Sequence, residues 1–230
     1  MSYVIEPEPR QSLPVQGSAK RFPVNNIYCV GRNYADHAIE MGGDPNREPP
    51  FFFIKPNFAI LPDGTEMAYP EFSTDVHHEI ELVVAIGRSG VDVSVAAAQS
   101  HIFGYGVGVD MTRRDLQSQA KEQARPWEAG KSFVHAAPCS EIVPIEACAN
   151  AAAAEITLTV NGEVRQQGNT NQMIWKIPEV ISRLSTLFCL QAGDLIFTGT
   201  PAGVGPVQRG DQLNCRVVDL TSFSFTIGSA

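Results

Sequence analysis

The run from Ile80 to Ile86 is aliphatic at every position but Glu81 and is closed by Gly87, which predicts a buried strand. Side chains alternate across a strand, so Glu79 and Glu81 point the same way and Val83 and Ala85 continue their face. The opposite face carries Ile80, Leu82, Val84 and Ile86. Further strands are predicted at Ile27–Val30, at Phe51–Ile54 as a buried strand, at Leu195–Thr198, and in at least two pieces between Asp211 and Ile227. Alternation around Asn161-Gly162, from Ile156 to Gln166, predicts a hairpin with a type I′ turn. The glycine-rich segment from His101 to Asp110 reads as another strand, suited to close backbone packing.

Helical patterns are few. A short one runs from about Tyr34 or Ala35 to Met41 and is stopped by Gly42-Gly43; another, Ala-rich, lies between Ser94 and His101. Thr112 and Asp115 make a variant capping box for a helix along which Arg114, Gln117 and Lys121 share a polar stripe, with Leu116 and Ala120 on the packed side. Pro178 opens a helix that reaches about Phe188. Residues 1–26, rich in Pro, Gln and Ser, read as an extended arm on a single domain of residues 27–230. The fold class expected is α+β, strand-rich.

Two carboxylates pointing the same way at the mouth of a buried strand repel each other and resist desolvation. A hard divalent cation compensates such a pair, because it takes oxygen ligands. The alternative is a strand that frays into solvent with both acids hydrated. Asp110 ends an apolar strand just before the Arg114–Gln117 helix, an arrangement suited to a carboxylate beside a metal; a solvated helix face explains Lys121 and Glu122 well but Asp110 less well. His37 and Glu40 stand at i and i+3, within hydrogen-bonding reach on a helix. Such a pair makes a general base acting on water, although an isolated pair of this kind is more often an idle surface contact.

The net charge of −8 argues against non-specific nucleic-acid binding and against anionic membrane surfaces. It leaves room for a small anionic substrate in a locally positive pocket. Five scattered cysteines with no C-x-x-C pair suggest neither a zinc ribbon nor a redox motif, and fit a reducing compartment. The first residues, acidic and proline-bearing, lack the pattern of a signal peptide, so the cytoplasm is the expected location. The G-x-G-x-G spacing at Gly104-Tyr105-Gly106-Val107-Gly108 is not a dinucleotide fingerprint, and no nucleotide is expected there.

Four stretches in order, Gly31-Arg32-Asn33-Tyr34-Ala35-Asp36-His37, His78-Glu79-Ile80-Glu81-Leu82, Asp110-Met111-Thr112-Arg113-Arg114-Asp115-Leu116-Gln117 and Thr198-Gly199-Thr200-Pro201-Ala202-Gly203-Val204-Gly205, resemble the fumarylacetoacetate hydrolase family. The likeness runs from about Ile27 to Val218 and is greatest to its short, single-domain acylpyruvate hydrolases. It implies a mixed β-sandwich roll with a mobile lid helix, in a homodimer. It implies Mg²⁺ or Mn²⁺, one per chain, on Glu79, Glu81 and Asp110, with Lys131 in the active site. Arg114, Gln117 and Thr200 then bind a small 2-oxo-acid substrate, and His37 with Glu40 activates water from the lid. His78 is a candidate for orienting the acids, and Lys55 carries no assigned role. The activity implied is hydrolysis of the carbon–carbon bond of a 3-acylpyruvate such as fumarylpyruvate. Decarboxylation of oxaloacetate or a related 2-oxo diacid is the second expectation, and a non-catalytic 2-oxo-acid binder the third.

Overall fold

Every residue of the strand Ile80–Ile86 is buried, as its aliphatic run requires. It occupies the middle of a mixed sheet in a computed structural model that describes residues 3–36 and 48–228. Across this sheet the order is Phe52–Lys55, Ile27–Val30, Leu195–Phe197, Ile80–Ile86, Ile102–Val109, Ala137–Cys139 and Ile60–Pro62, with Val143–Pro144 added beside Ile102–Val109. The central pair, Ile80–Ile86 against Ile102–Val109, is antiparallel and sets Glu81 opposite Gly108. Leu195–Phe197 runs antiparallel to the central strand and parallel to Ile27–Val30.

A second sheet of five strands, Glu163–Asn169, Glu155–Val160, Gln212–Val217, Thr221–Ile227 and Glu66–Met67, covers one side of the first. Its inward positions alternate as expected: Ile156, Leu158, Val160, Leu213, Cys215, Val217, Phe223 and Phe225 all join one apolar core with Val83, Val107 and Val109. Each large aliphatic side chain so buried contributes about 1.5–3 kcal/mol. The Asn161-Gly162 turn has positive φ at both residues, 53° and 84°, as a type I′ hairpin demands. Among the described residues the α-helices are Arg114–Glu122, Glu128–Lys131 and Ile177–Leu187, with Ala35 and Asp36 also helical, so the chain is strand-rich with few helices.

Several expectations need correction. Phe52–Lys55 is an edge strand beside Ile27–Val30; Phe51 and Ile54 are exposed, and only Lys55 is buried. The Ser94–His101 segment shortens to a 3₁₀ turn at Ala98–His101, too brief to bury an alanine face. Within residues 1–26, Ser12–Val15 and Ser18–Pro23 pair as a hairpin that inserts Leu13 and Phe22 into the core. The helix Arg114–Glu122 is capped by Arg113 without a side-chain bond, so the Thr112–Asp115 capping box is not formed. Asp115 instead accepts hydrogen bonds from Ser73 Oγ at 2.8 Å and Thr74 N at 3.0 Å, pinning the helix start to the preceding loop. The buried face of that helix is its polar one: Arg114, Gln117 and Ala120 are buried and Leu116 is only partly covered. Of the helix expected from about Tyr34 or Ala35 to Met41, Ala35 and Asp36 are helical, and the rest, with His37 and Glu40, lies outside the described residues.

Candidate metal centre and active site

The chain breaks out of strand geometry at Glu79, between Val76–His78 and Ile80–Ile86. That break leaves Glu79 and Glu81 on one side of the sheet, and Asp110 follows directly on the neighbouring strand Ile102–Val109. Oxygen atoms of the three carboxylates lie within 4.8 Å of one another, and all three residues are buried. The strand does not fray: Glu81 is 1% exposed.

Cations from three elements enclose these acids. Lys131, at the end of Glu128–Lys131 and 2% exposed, donates to Glu79 Oε2 at 2.8 Å, Asp110 Oδ2 at 2.6 Å and Thr112 Oγ1 at 2.6 Å. Arg114 Nη2 donates to Glu79 Oε1, and Arg114 Nη1 donates to Gln117 Oε1 at 2.6 Å. Lys55, fully buried, reaches the far side of the carboxylates, 2.8 Å from Asp110 Oδ1, and donates to the carbonyls of Met111 and Lys131. The short helix bearing Lys131 approaches Gln117 so closely that a Cβ on Gly130 would stand 2.9 Å from the Gln117 backbone nitrogen. Glycine is what lets that ammonium and the Arg114–Gln117 pair share one cleft.

Glu81 is held differently. Its Oε2 accepts the backbone N–H of Gly199 at 2.6 Å. Gly199 has φ of +94°, a conformation costly to a side chain, and this turn aims the amide at the carboxylate. Asn33 braces the turn, donating to Thr198 O at 2.8 Å and Trp175 O at 3.0 Å and accepting from Trp175 N at 2.7 Å. Burial pushes the Glu81 carboxyl well above the usual carboxylate range, and the charges of Asp110 and Glu79 push it further. Lys131 stays protonated: burial lowers its pKa, but Asp110 and Glu79 more than offset this and leave it raised.

Thr200 lines the same cleft and receives a 2.8 Å hydrogen bond from Gln166 Nε2. Gln166 is fully buried and also donates to Pro201 O, while its Oε1 accepts from Ile80 N at 3.0 Å and His78 Nδ1 at 2.9 Å. His78 therefore serves this glutamine and makes no hydrogen bond to the acids, contrary to the orienting role considered for it. Its neighbour His77 sits in another chain of contacts, with Nε2 donating to Asp75 Oδ1 at 2.8 Å and Nδ1 accepting from Arg114 Nε at 3.5 Å. Burial, then the Arg114 charge, lowers the His77 pKa, in keeping with a neutral ring that accepts at Nδ1.

The structure thus brings Glu79, Glu81, Asp110, Lys131, Arg114, Gln117 and Thr200 around one narrow cleft. Lys55 and Gln166 went unassigned in the sequence. A lysine closing the apolar run Phe51-Phe52-Phe53-Ile54 was the available signal for the first; nothing in the hairpin pattern marked the second.

The donor set suits a hard divalent cation. It is all oxygen, it is buried, and Asp110 Oδ1 receives no hydrogen bond although Lys55 Nζ is near it, because the contact falls outside hydrogen-bonding angles. Glu79, Glu81 and Asp110 can hold one such ion.

Residues 26–228 match the family described as Fumarylacetoacetate (FAA) hydrolase, C-terminal. The chain belongs to the fumarylacetoacetate hydrolase family. Within it, the chain is similar to the crystal structure of fumarylpyruvate hydrolase from Pseudomonas aeruginosa in complex with Mn²⁺ and pyruvate, at 47% identity and a TM-score of 0.97 over 100% of both chains. The fumarylpyruvate hydrolase of Ralstonia is 44% identical over 187 residues, 81% of this chain and 97% of that one. The mitochondrial oxaloacetate tautomerase FAHD1 of Mus musculus is 42% identical over 202 residues, 88% of this chain and 91% of that one.

Proposed function

We propose that this protein hydrolyses the carbon–carbon bond of a 3-acylpyruvate, with fumarylpyruvate giving fumarate and pyruvate. The observation that carries the reading is the convergence of three buried carboxylates with Lys131, Arg114, Gln117 and Thr200 on one cleft. A Mg²⁺ or Mn²⁺ ion on Glu79, Glu81 and Asp110 would supply Lewis acidity toward the 2-oxo-acid end of the substrate. Arg114, Gln117 and Thr200, which line the cleft, orient that end. His37, oriented by Glu40, takes a proton from water, and the water oxygen bonds to the distal acyl carbonyl carbon. The bond between that carbon and the pyruvate methylene then breaks. Its electron pair passes to the pyruvate half, where the Lys131 ammonium stabilises the developing negative charge. Protonation of the methylene carbon releases pyruvate, and the acyl half leaves as a carboxylic acid. The protein is further proposed to act as a homodimer in the cytoplasm.

A second reading has support in the similar identity to an oxaloacetate tautomerase. Proton transfer at C3 of oxaloacetate, or its decarboxylation, uses the same cleft and needs no attacking water. The two readings separate when the purified protein with Mn²⁺ is given fumarylpyruvate and oxaloacetate side by side. The hydrolase reading expects rapid pyruvate release from fumarylpyruvate and its loss in His37→Ala with Mn²⁺ binding retained. Turnover of oxaloacetate alone would overturn it.

A further inference from the structure

Arg114, Gln117 and Lys121 fall at i, i+3 and i+7 of one helix, and all three line the cleft. The first two are engaged, Arg114 with Glu79 and Gln117 with Arg114. Lys121 is not. It stands exposed at the cleft rim with its Nζ 5.1 Å from the centre of the Trp127 ring, and its side chain forms no ion pair or hydrogen bond among the described residues. The charges that act on it are mostly of its own sign. Partial desolvation lowers its pKa most, and Arg114 and Arg32 lower it further; Glu79, the acid that opposes them, is already held by Lys131 and Arg114.

Between the engaged and the unengaged cations the cleft wall is aromatic. Phe53 and Trp127 line it with ring centres 5.9 Å apart, and Phe51 braces Trp127 edge-on at 5.3 Å. The order along the cleft is therefore the Arg114–Gln117 end, an aromatic wall of two tilted rings, and a cation with no ion-pair partner among the described residues. We propose that Lys121, with Arg32 beside it, is the specificity determinant that binds the far carboxylate of an extended 2-oxo diacid. The Phe53–Trp127 wall covers the planar middle of that substrate.

This rests on the acylpyruvate reading and deepens it by naming the residues that read the far carboxylate. The dimensions agree. Gln117 and Lys121 are one helical turn apart, about 6 Å along the axis. In fumarylpyruvate five carbon–carbon bonds of about 1.5 Å separate the 2-oxo carbon from the far carboxylate, an advance of about 6 Å when extended. Oxaloacetate, with two such bonds, falls short of Lys121. A cation with no ion-pair partner among the described residues also favours a guest that brings an anion, since charge-assisted hydrogen bonds are the strong ones.

The test is binding of two stable probes to the Mn²⁺-loaded protein by calorimetry: 2-oxoheptanedioate, which keeps the five-bond spacing, and 2-oxoheptanoate, which lacks the far carboxylate. The parent protein should bind the diacid about tenfold more tightly, the size of one charge-assisted hydrogen bond at a solvent-facing site. Lys121→Met should bring the two affinities together, and Lys121→Arg should restore the difference. Lys121→Gln serves as a second neutral variant if the first is poorly folded. Equal binding of the two probes by the parent, or a preference that survives in both neutral variants, would overturn the proposal. Failure of the acylpyruvate reading shows elsewhere, as absent hydrolysis of fumarylpyruvate with the diacid preference intact.

Discussion

The Lys131 ammonium lies 2.6 Å from Asp110 Oδ2 and forms the buried hinge of the site, because the same nitrogen also holds Glu79. One cation thus bridges two of the three carboxylates that can hold a metal, and it faces the cleft where substrate charge would develop. Three cations, Lys55, Lys131 and Arg114, pair with Glu79 and Asp110 here, and Lys121 and Arg32 add positive charge along the cleft. A divalent cation would make it more positive still and suit a dianionic guest.

From this bridge follows the first prediction. Lys131→Met should lower kcat for fumarylpyruvate by at least about 100-fold at saturating Mn²⁺, as loss of one preorganised donor does elsewhere. Mn²⁺ should still bind, since the three carboxylates remain. A steady-state assay with Mn²⁺ titrated by calorimetry checks both halves; near-normal kcat would remove Lys131 from the chemistry.

Glu81 gives a pH prediction. Burial, and then the charges of Asp110 and Glu79, raise its pKa, so the metal-free carboxyl retains its proton above the usual carboxylate range. A cation must displace that proton. Mn²⁺ affinity should therefore rise with pH, and binding should release protons. Calorimetry in two buffers of different ionisation enthalpy measures the release directly, and identical heats in both would contradict the raised value.

Lys55 is buried against Asp110, and removing one partner of a buried pair costs about 3–5 kcal/mol. Lys55→Met should thus be clearly destabilised without metal. Because the variant leaves Asp110 less compensated, excess Mn²⁺ should raise its Tm more than it raises the parent's. Thermal unfolding with and without Mn²⁺ is the measurement, and equal shifts would count against the pairing.

Gln166 ties the second sheet to the site through Ile80, His78, Pro201 and Thr200. Gln166→Leu strands the buried Ile80 N–H and frees Thr200, so it should cost about 1–3 kcal/mol of stability. KM for fumarylpyruvate should rise more than kcat falls. Urea unfolding and a Michaelis–Menten analysis read the two effects separately, and an unchanged KM would limit Gln166 to a structural role.

Much of this arrangement was legible in the residues. The aliphatic run at Ile80–Ile86, the Asn161-Gly162 turn and the Pro178 helix start are local signals, and local physics decided them. The same-side placement of Glu79 and Glu81 followed from alternation, even though a break at Glu79 interrupts the strand. What failed was long-range. Phe51 and Ile54 look like core residues but sit on a sheet edge, which no hydrophobic count reveals. The Thr112–Asp115 cap failed because Lys131 and the Ser73–Thr74 loop compete for those side chains, partners far off in sequence. The stripe of Arg114 and Gln117 is buried because acids from another strand meet it; on the helix alone it reads as a wet face. Gln166 carried no signal at all, since its partners come from two segments distant in sequence, His78–Ile80 and Thr200–Pro201.

The central claim is that a cation on Glu79, Glu81 and Asp110 is required for cleavage of an acylpyruvate. Its most direct test is pyruvate release from fumarylpyruvate by EDTA-treated protein, before and after Mn²⁺ is restored, with Glu81→Gln run alongside. The account predicts negligible turnover without metal, recovery on Mn²⁺ addition, and no recovery in the variant. Undiminished cleavage by the metal-stripped protein, or full Mn²⁺-dependent activity in Glu81→Gln, would contradict it.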